Sequence, residues 1–314
     1  MKMNNRVYGI IGIGCRMSNW NADFTGRPKM TGSGDIFGSD KALKFPMKFQ
    51  WNSEGEKILY IKSYKFGDKG DGKDKLQPKD LEERYEEIFK TELKKTTPSE
   101  EVLNNLFSAL DVMNFGATFA VKNQNISITG AVQIAQGFNK YKDCRVEVQD
   151  ILSPFRNPDE KKEEATASSL GTKIMCDEAH YFYHFAVNPG NYNNYIGVLP
   201  GFEGYTEGAY DKFKEAALVS ATAFNTNSKT GCENEFALFI KCKPDSKLYL
   251  PELTNYIEFH KREKINILDM TGLNFIKGQM EEIEEIEIFY NPYTLEIKTA
   301  LNAEKLNLFT KEVI

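Results

Sequence analysis

RVYGIIGIGCRM, residues Arg6–Met17, is the segment around which the rest of the chain is expected to fold. Its β-branched and apolar residues, interrupted by glycines, are typical of a buried strand whose backbone lies close to its neighbours. The glycines belong to no phosphate-binding motif, because the chain contains neither GxGxxG nor GxxxxGK[ST]. The segment therefore predicts a first, buried strand and gives no support for a nucleotide site of those two types.

Composition places the chain among folded proteins with a large core. It has 314 residues, of which 41% are hydrophobic, enough for one large domain or two ordinary ones. No run of 18 apolar residues occurs, so no membrane span is predicted. The five cysteines are an odd number, widely spaced and without a CxxC pair, which favours a reduced, cytoplasmic protein.

The net charge of −5 is unevenly distributed along the chain. Residues 1–50 carry eight Lys or Arg and three Asp, a net +5, so the other 264 residues carry −10. A cationic first section on an acidic body indicates a local site for a polyanion. The alternative is that this uneven distribution arose by chance.

A polar loop follows the first strand. Residues 18–30, SNWNADFTGRPKM, offer amides, a carboxylate and two cations but almost nothing that could fill a core. Residues 39–51, SDKALKFPMKFQW, then predict a helix capped by Ser39 or Asp40, which Pro46 would kink or end early. Within that helix, the lysines at positions 41, 44 and 48 share one face.

The remaining pattern alternates helices and strands. Helices are predicted at residues 78–95, 97–111 and 211–225, a hairpin at 114–138 with its turn at Asn123–Asn125, and strands at 180–187 and 233–243. Residues 153–173 hold two prolines and a charge block, so they should form an excursion from the core. Without the insertions the order is βαββαβ, an α+β fold of the ferredoxin-like or RRM-like type that often binds single-stranded nucleic acid.

Three groups of residues could carry other chemistry. His180 and His184 are four apart, but on a strand their imidazoles would lie about 13 Å apart, too far for one zinc ion. The acidic stretch Glu281–Glu287 is better explained as a solvated face. Asp23, with cations nearby, could serve a metal-assisted phosphodiester cleavage. An Asx turn in this Gly- and Asn-rich loop is the more common use of such an aspartate.

The cations of the first section also allow two interpretations. Arg27 and Lys29 in the loop and the three helix lysines could bind successive phosphates. They could equally be an ordinary solvated face, and their spacing does not separate the two. No RNP1 octapeptide occurs, so the usual RRM surface for stacking bases is not predicted.

Three segments resemble the CRISPR-associated backbone subunit of type I Cascade complexes (the Cas seven family). Residues 16–30, RMSNWNADFTGRPKM, resemble that family's N-P-N-G-D…R-P-R loop. Residues 38–51, GSDKALKFPMKFQW, resemble its basic helix. Residues 111–138, DVMNFGATFAVKNQNISITGAVQIAQGF, resemble its D-V-R-x-F-G-A…G-P-V-Q segment. The resemblance covers residues 5–245 and is greatest to the type I-B (Csh) branch.

Four residues depart from the family pattern. Trp20 and Ala22 stand where Pro and Gly are usual, Met113 where Arg is common, and Ala131 where the Pro of GPVQ is found. These departures bear on the subtype and on which residues would contact RNA, and they affect the resemblance to the family less.

The resemblance implies one hand-shaped domain over residues 1–314. Its RRM-like palm would comprise residues 5–60, 110–145 and 174–245, with a helical insertion at 61–109 and a protruding thumb hairpin at 147–173. For residues 246–314 no motif predicts a role.

The resemblance also implies a non-catalytic function. Several copies would polymerise along one CRISPR RNA (crRNA) in a type I surveillance complex and present the guide for base pairing with invading DNA. The partners would be the crRNA, the target DNA strand, further copies of the chain, and the complex's large subunit, cap subunit and repeat-processing endoribonuclease, with no membrane, metal or cofactor. The polar loop would then face ribose and phosphate. The RNA-binding residues so indicated are Arg16, Asn19, Asn21, Arg27, Lys29, Lys41, Lys44, Lys48, Gln133 and Gln136.

Two alternatives remain open at this point. Backbone subunits of type III complexes share the palm and cut RNA through an aspartate in a corresponding loop, so a metal-dependent endoribonuclease would use Asp23. The three segments resemble type I more closely, and type I backbone subunits are generally not nucleases. The other alternative is an assembly protein whose cations are merely part of its surface.

Overall fold

The chain folds as a mixed α+β structure, as the sequence predicts. The computed structural model describes residues 1–67, 75–152 and 170–314. The strands there are β1 (Val7–Ser18), β2 (Phe37–Gly38), β3 (Tyr64–Phe66), β4 (Leu76–Pro78), β5 (Gly116–Val121), β6 (Gln124–Thr129), β7 (Val132–Ile134), β8 (Gly137–Asn139), β9 (Val146–Leu152), β10 (Leu170–Val187), β11 (Cys232–Cys242), β12 (Glu258–His260), β13 (Asn266–Asp269), β14 (Ile283–Tyr290), β15 (Leu295–Lys298) and β16 (Glu304–Asn307). The α-helices are α1 (Asp40–Ser53), α2 (Leu81–Phe89), α3 (Ser99–Ser108), α4 (Leu110–Phe115) and α5 (Glu207–Ala223). 3-10 helices occur at Pro189–Tyr192, Leu253–Tyr256 and Thr271–Glu282.

β1 is an inner strand of the largest sheet, whose order is β16-β14-β11-β1-β10-β8-β2. It pairs antiparallel with β10 on one side and β11 on the other, so that Ile11 lies opposite both Tyr183 and Ala237. The first nine residues of β1 are buried, which confirms the predicted strand. Gly9 shows why glycine is needed there, because a Cβ would lie 2.1 Å from the carbonyl oxygen of Leu238.

Both faces of this sheet are covered. Alternate residues of β10 point to opposite sides, so Tyr183 and Phe185 lie in a core shared with α1 and α5, and Phe182 lies in a second core. The second core also contains C-terminal side chains, among them Leu253, Leu268, Met270, Leu273 and Ile276. Residues 246–314, for which no role was predicted, therefore cover the sheet face that the helices leave open.

α1 continues beyond the position where the sequence suggested an end. Its start is capped by Ser39, whose hydroxyl accepts a hydrogen bond from the backbone N–H of Ala42 at 3.3 Å. Pro46 lies inside the helix, and the expectation that it would end the helix early is wrong, because α1 continues to Ser53. Pro46 is itself buried on the apolar side of the helix, and this packing offsets the missing backbone hydrogen bond.

The hairpin predicted at residues 114–138 forms only in part. β5 and β6 pair with each other in a separate two-stranded sheet. Their turn is at Lys122 and Asn123, which both have positive φ (49° and 69°), as a type I′ turn requires. It begins one residue before the predicted turn and shares Asn123 with it. The following short strands, β7 and β8, are the ones that join the main sheet by pairing with β10.

β9 and the first part of β10 form a two-stranded ribbon beyond the main sheet. They pair from Val146 opposite Cys176 to Leu152 opposite Leu170, whereas β1 pairs with β10 only as far as Cys176. Residues 147–152 of β9 and residues 170–173 of β10 fall within the predicted thumb at 147–173, of which residues 153–169 lie outside the described part of the chain. α2 and α3 lie within the predicted insertion at 61–109, and the domain boundaries remain predictions.

Trp20 anchors the opening loop (residues 18–38) to the sheet. Its side chain is fully buried, and its indole N–H donates a hydrogen bond to the hydroxyl of Tyr183 at 2.5 Å. The expectation that this loop contributes almost nothing to the core is therefore wrong. Gly38 and Gly137 make room for the pair, because a Cβ on Gly38 would lie 1.9 Å from the Tyr183 hydroxyl and one on Gly137 would lie 2.4 Å from the Tyr183 ring.

Replacing Gly38 with Ala is expected to destabilise the fold. The new methyl group would clash with Tyr183 and Trp20, which are both fully buried, so core side chains would have to move. We expect Gly38→Ala to lower the free energy of unfolding, measured by urea titration, by about 1–3 kcal/mol. Gly32→Ala is the matched control in the same loop, because nothing lies within 4 Å of its Cβ position. Equal stability of the two variants would contradict the packing explanation.

Candidate nucleic-acid interface

Asn19 fixes the start of the opening loop. Its side-chain amide donates hydrogen bonds to the carbonyls of Gly26 at 3.0 Å and Ile174 at 3.1 Å, and its backbone N–H donates to Ser228 at 2.8 Å. The residue is only 5% exposed. Asn19 therefore holds the loop against β10 and positions it, and its amide is not presented at the surface.

Asn21 and Asp23 shape the middle of the loop. Asn21 Oδ1 accepts a hydrogen bond from the backbone N–H of Ser39 at 2.8 Å, which joins the loop to the start of α1. Asp23 Oδ1 accepts from the backbone N–H and the hydroxyl of Thr25, both at 2.7 Å, and from the N–H of Arg27 at 3.1 Å. These hydrogen bonds, that of the Thr25 hydroxyl above all, hold the pKa of Asp23 below its ordinary value. Asp23 is thus an Asx-turn residue.

Three predicted cations lie on the loop and on the helix to which it is bonded. Arg27 is exposed in the turn that Asp23 stabilises, and Lys41 is exposed in the first turn of α1. Lys29 is half-buried, and its ammonium lies 6.0 Å from the centroid of the Phe37 ring. These side chains can therefore offer positive charge at the junction of loop and helix.

Lys44 and Lys48 have partners inside the protein. The Lys44 ammonium lies 3.0 Å from the carboxylate of Asp40. The Lys48 ammonium donates to the carbonyl of Tyr60 at 2.7 Å. Burial is the main reason that the pKa of Lys48 lies below its ordinary value. The carboxylates of Asp111 and Asp40 oppose this effect, and the charges of the other two helix lysines add to it. The Lys48 ammonium thus also holds α1 against the segment that follows it, whereas the Lys44 ammonium pairs within the helix.

Gln133 and Gln136 are exposed at the strand pair β7 and β8. Gln136 hydrogen bonds to the carboxylate of Asp40 in the first turn of α1. This shared partner brings Gln136 next to the ammonium of Lys44. The side-chain amide of Gln133 donates to the carbonyl of Gly130 at 2.8 Å, which keeps it close to its own strand.

Arg16 lies apart from the basic helix, on the opposite face of the sheet. Its neighbour Cys15 belongs to the core on the helix side, and successive residues of a strand point to opposite faces. The Arg16 side chain is 69% exposed, and its guanidinium lies 3.6 Å from Glu178. It lines a cavity of about 400 Å³ together with Glu233 and Glu235. These carboxylates make the cavity a less favourable place for a phosphate than the helix side.

A buried charge cluster beside this cavity joins the sheet to the C-terminal section. His180 Nδ1 lies 2.8 Å from Glu235, and its Nε2 lies 3.2 Å from Glu178, which Lys261 also reaches at 2.6 Å. The imidazole stacks on Phe259 with ring centroids 4.0 Å apart. Burial alone would lower the pKa of His180, but the two carboxylates raise it to about 9. His180 is thus a buried histidine whose two ring nitrogens both have carboxylate partners.

Sequence reasoning missed Lys229 and an aromatic pair. The Lys229 ammonium hydrogen bonds to the carbonyl of Trp20 and lies 4.5 Å from the centroid of its indole ring, so it braces the opening loop. No local pattern indicates this contact, because the two residues are 209 positions apart. Phe45 and Phe49 are 37% and 47% exposed, four and eight residues after Lys41. This spacing is visible in the sequence and indicates an aromatic and basic stripe along α1.

Two further observations concern the chain's other possible functions. Among residues 1–67, 75–152 and 170–314, no three His, Cys, Asp or Glu side chains are grouped so that they could hold a metal ion. Within the same ranges, no helix is long and apolar enough to cross a membrane.

The structure is that of an α+β protein. Its opening loop and the start of α1 carry exposed cations, a chemistry suited to a nucleic-acid backbone. Residues 5–276 match the sequence model of the family described as CRISPR-associated protein Cas7. The chain belongs to this family, which confirms the resemblance noted above. No protein of curated function matches the chain by sequence.

One solved structure agrees with this assignment at the level of the fold. A chain of a complex named "CRISPR RNA-guided surveillance complex, pre-nicking" is similar over 96% of each chain, with 14% identity and a TM-score of 0.54. A chain of another complex, named "CRISPR RNA-guided surveillance complex", is similar over 96% of this chain and 93% of that chain, with 14% identity and a TM-score of 0.45. The family supports a Cascade backbone subunit and does not favour the endoribonuclease; the type I-B branch stays a prediction.

The His180 cluster should make stability depend on pH above neutrality. The pKa of His180 is about 9 in the folded protein and about 6.5 in an unfolded chain. Its charged pairs therefore contribute fully below pH 6.5 and are lost as the pH rises towards 9. In urea titrations, the wild type should exceed His180→Gln in free energy of unfolding by roughly 3 kcal/mol at about pH 6, and by much less at about pH 9.5.

A histidine without this environment provides the control for the pH experiment. His260 is 44% exposed, so His260→Gln should change the free energy of unfolding little at either pH. A difference between wild type and His180→Gln that is the same at both pH values would contradict the buried pairing of His180.

Proposed function

We propose that this protein is a non-catalytic RNA-binding backbone subunit that polymerises along crRNA in a type I surveillance (Cascade) complex and presents the guide for base pairing with invading DNA. The observation that carries the proposal is the Cas7 family match over residues 5–276. In such an assembly base pairing reads the sequence, and the protein holds the backbone and shape of the guide. The charge of +5 in residues 1–50 against −10 elsewhere supports a local anion-binding surface on an acidic subunit.

We further propose that the main sheet is an RRM-like palm. In its support, β1, α1, β8, β10, α5 and β11 follow one another as βαββαβ when the other elements are set aside, and β1 lies between β10 and β11. RRM domains stack bases on the open face of this sheet. Here the C-terminal section covers that face, so the RNA is assigned to the opening loop and the basic helix at its side.

The exposed cations are assigned direct contact with phosphates. Arg27 and Lys41 are exposed on the loop and helix, and Lys29 lies between them in the loop. The guanidinium of Arg27 can form two parallel hydrogen bonds to one phosphate. The amides of Gln133 and Gln136, also exposed, can bond to 2′-hydroxyl or phosphate oxygens beside the helix.

The less exposed members of the predicted set are assigned mainly to positioning. Asn19 and Asn21 bond to the backbone of the protein and fix the loop. Lys44 and Lys48 bond to Asp40 and Tyr60 and fix the helix, while their charge still adds to the local positive potential.

The ribbon of β9 and the first part of β10 is proposed to contain the two ends of the thumb, residues 147–173. It extends beyond the main sheet and carries exposed apolar side chains at Val148, Ile151 and Leu152. In a filament, such an arm of one copy presses the RNA against the next copy and kinks it at intervals. The proposed partners are further copies, the crRNA, the target DNA strand, the large subunit, the cap subunit and the repeat-processing endoribonuclease. The type I-B branch and a cytoplasmic location are proposed with them.

Removing the exposed cations should weaken RNA binding. We expect Arg27→Ala and Lys41→Ala each to lower the affinity for a repeat-flanked single-stranded RNA several-fold. Each should also reduce the slope of log K against log salt by roughly 0.7, the loss of one phosphate contact. Fluorescence anisotropy at several salt concentrations measures both quantities.

An exposed lysine elsewhere supplies the matched control for charge. Lys277 is exposed on the C-terminal section, away from the basic helix in sequence, so Lys277→Ala should leave the affinity and the slope unchanged. If Lys277→Ala weakens binding as much as Lys41→Ala, net charge explains the effect and the interface is wrongly placed.

The non-catalytic proposal is tested at Asp23. Wild-type protein incubated with the same RNA and Mg²⁺ should leave the RNA intact on a denaturing gel, because Asp23 Oδ1 accepts three hydrogen bonds within its own loop. Asp23→Asn should give the same result. Metal-dependent cleavage of the RNA by the wild type, abolished by Asp23→Asn, would contradict this proposal and favour the type III-like endoribonuclease.

A further inference from the structure

Four of the five cysteines meet at the root of the opening loop. The sulfurs of Cys15 and Cys232 are 3.0 Å apart, and the thiols of Cys144 and Cys176 hydrogen bond to each other. Cys242 lies in the core on the other face of the sheet. All five are free thiols, so the group at the loop holds two pairs that could be oxidised.

The backbone makes Cys15 and Cys232 direct neighbours across two strands. They are partners in the register of β1 and β11, and the next residue, Arg16, donates its N–H to the carbonyl of Gly231 at 2.8 Å. Cys15 and Cys232 therefore occupy a non-hydrogen-bonded position of the ladder, where opposite Cα atoms are about 4.5 Å apart. Disulfides accept that separation, so a bond requires rotation of the side chains and little movement of the backbone.

Cys232 is the sulfur better placed to react first. Both cysteines line the cavity of about 400 Å³ that Arg16 and Glu233 also line, which gives a small polar molecule a route to the pair. Cys232 is the more exposed of the two, at 5% against 1% for Cys15. The Cys15 thiol donates a hydrogen bond to Cys232, and the Ser18 hydroxyl lies 3.2 Å from the Cys232 sulfur. The hydrogen bond from Cys15 is the main reason that the pKa of Cys232 lies below its ordinary value, whereas burial raises the pKa of Cys15.

We propose that Cys15 and Cys232 form a peroxide-sensitive dithiol, a modification site that closes to a disulfide. The proposal goes beyond RNA binding and does not rest on it. The Cys232 thiolate attacks one oxygen of hydrogen peroxide, the O–O bond breaks, and the products are a sulfenic acid and hydroxide, which is protonated to water. The Cys15 sulfur attacks the sulfenic sulfur, and the oxygen leaves with the thiol proton as a second water. Two thiols are oxidised, and one peroxide is reduced.

The disulfide would link the end of β1, from which the opening loop starts, to the start of β11, next to the lysine that braces the loop. The opening loop starts at Ser18, the last residue of β1, and Lys229, just before β11, braces the loop through Trp20. A bond between Cys15 and Cys232 spans 217 positions of sequence and so restricts the unfolded chain strongly. The oxidised protein is therefore expected to resist unfolding while its loop stays in place.

Mass spectrometry tests the site on the full chain. The folded protein is exposed to hydrogen peroxide, free thiols are blocked with N-ethylmaleimide, and the protein is digested with trypsin without reductant. Residues 7–16 should be found linked to residues 230–241, and dithiothreitol should separate them. The Tm of the oxidised protein should rise by roughly 5–10 °C. No such link in folded protein, a link formed only in urea-unfolded protein, or a Cys144–Cys176 link in its place would overturn the proposal.

Two serine variants separate this pair from the other thiols. Cys242→Ser and Cys232→Ser each remove one buried thiol, but only the second breaks the pair. Cys242→Ser should keep the cross-link and the rise in Tm, and Cys232→Ser should lose both. Cys15→Ser replaces Cys232→Ser if the latter does not fold. A peroxide-induced rise in Tm that persists in the pair variant would show that another thiol is responsible.

Discussion

The hydrogen bond between the Trp20 indole and the Tyr183 hydroxyl is the contact on which the position of the opening loop depends. The opening loop is polar and has few side chains of its own to bury. Trp20 inserts one large apolar side chain into the core, and its only polar group finds an acceptor there. The side chain of Asn19 then bonds to a backbone carbonyl of the ribbon, and the ammonium of Lys229 bonds to a backbone carbonyl of the loop. The turn around Asp23 is thereby held at a fixed place beside α1 without a core of its own.

The covering of both sheet faces limits where the proposed RNA can bind. Stacking on an open sheet, as in RRM domains, would occupy the bases of the nucleic acid. Here the C-terminal section covers that face. His180 holds this section to the sheet, because its imidazole packs on Phe259 and pairs with two carboxylates. Contacts from a loop and a helix to ribose and phosphate leave the bases free. Such contacts suit a guide that must still pair with its target.

Sequence reasoning succeeded where local pattern determines structure. The apolar run of β1 and the periodicity of α1 and α5 specify these elements without reference to distant residues. It failed where partners are far apart in sequence. Nothing near Trp20 reveals Tyr183, and nothing near Lys48 reveals that its ammonium bonds to Tyr60. Pro46 misled because helix propensity is local, whereas the packing that overrides it comes from the whole core.

On the basic helix, Lys44 and Lys48 are half-buried whereas Lys41 is exposed, and this difference has a physical reason. Three lysines on one face repel each other and would weaken α1 if all remained unpaired. Asp40, in the first turn where the helix dipole favours a negative charge, pairs with Lys44, and a carbonyl satisfies Lys48. Lys41 stays exposed and hydrated, so a phosphate that binds there can release counterions. The internal pairs thus keep the helix intact without RNA, and in the proposed interface the exposed lysine would contribute most to the salt-dependent part of binding.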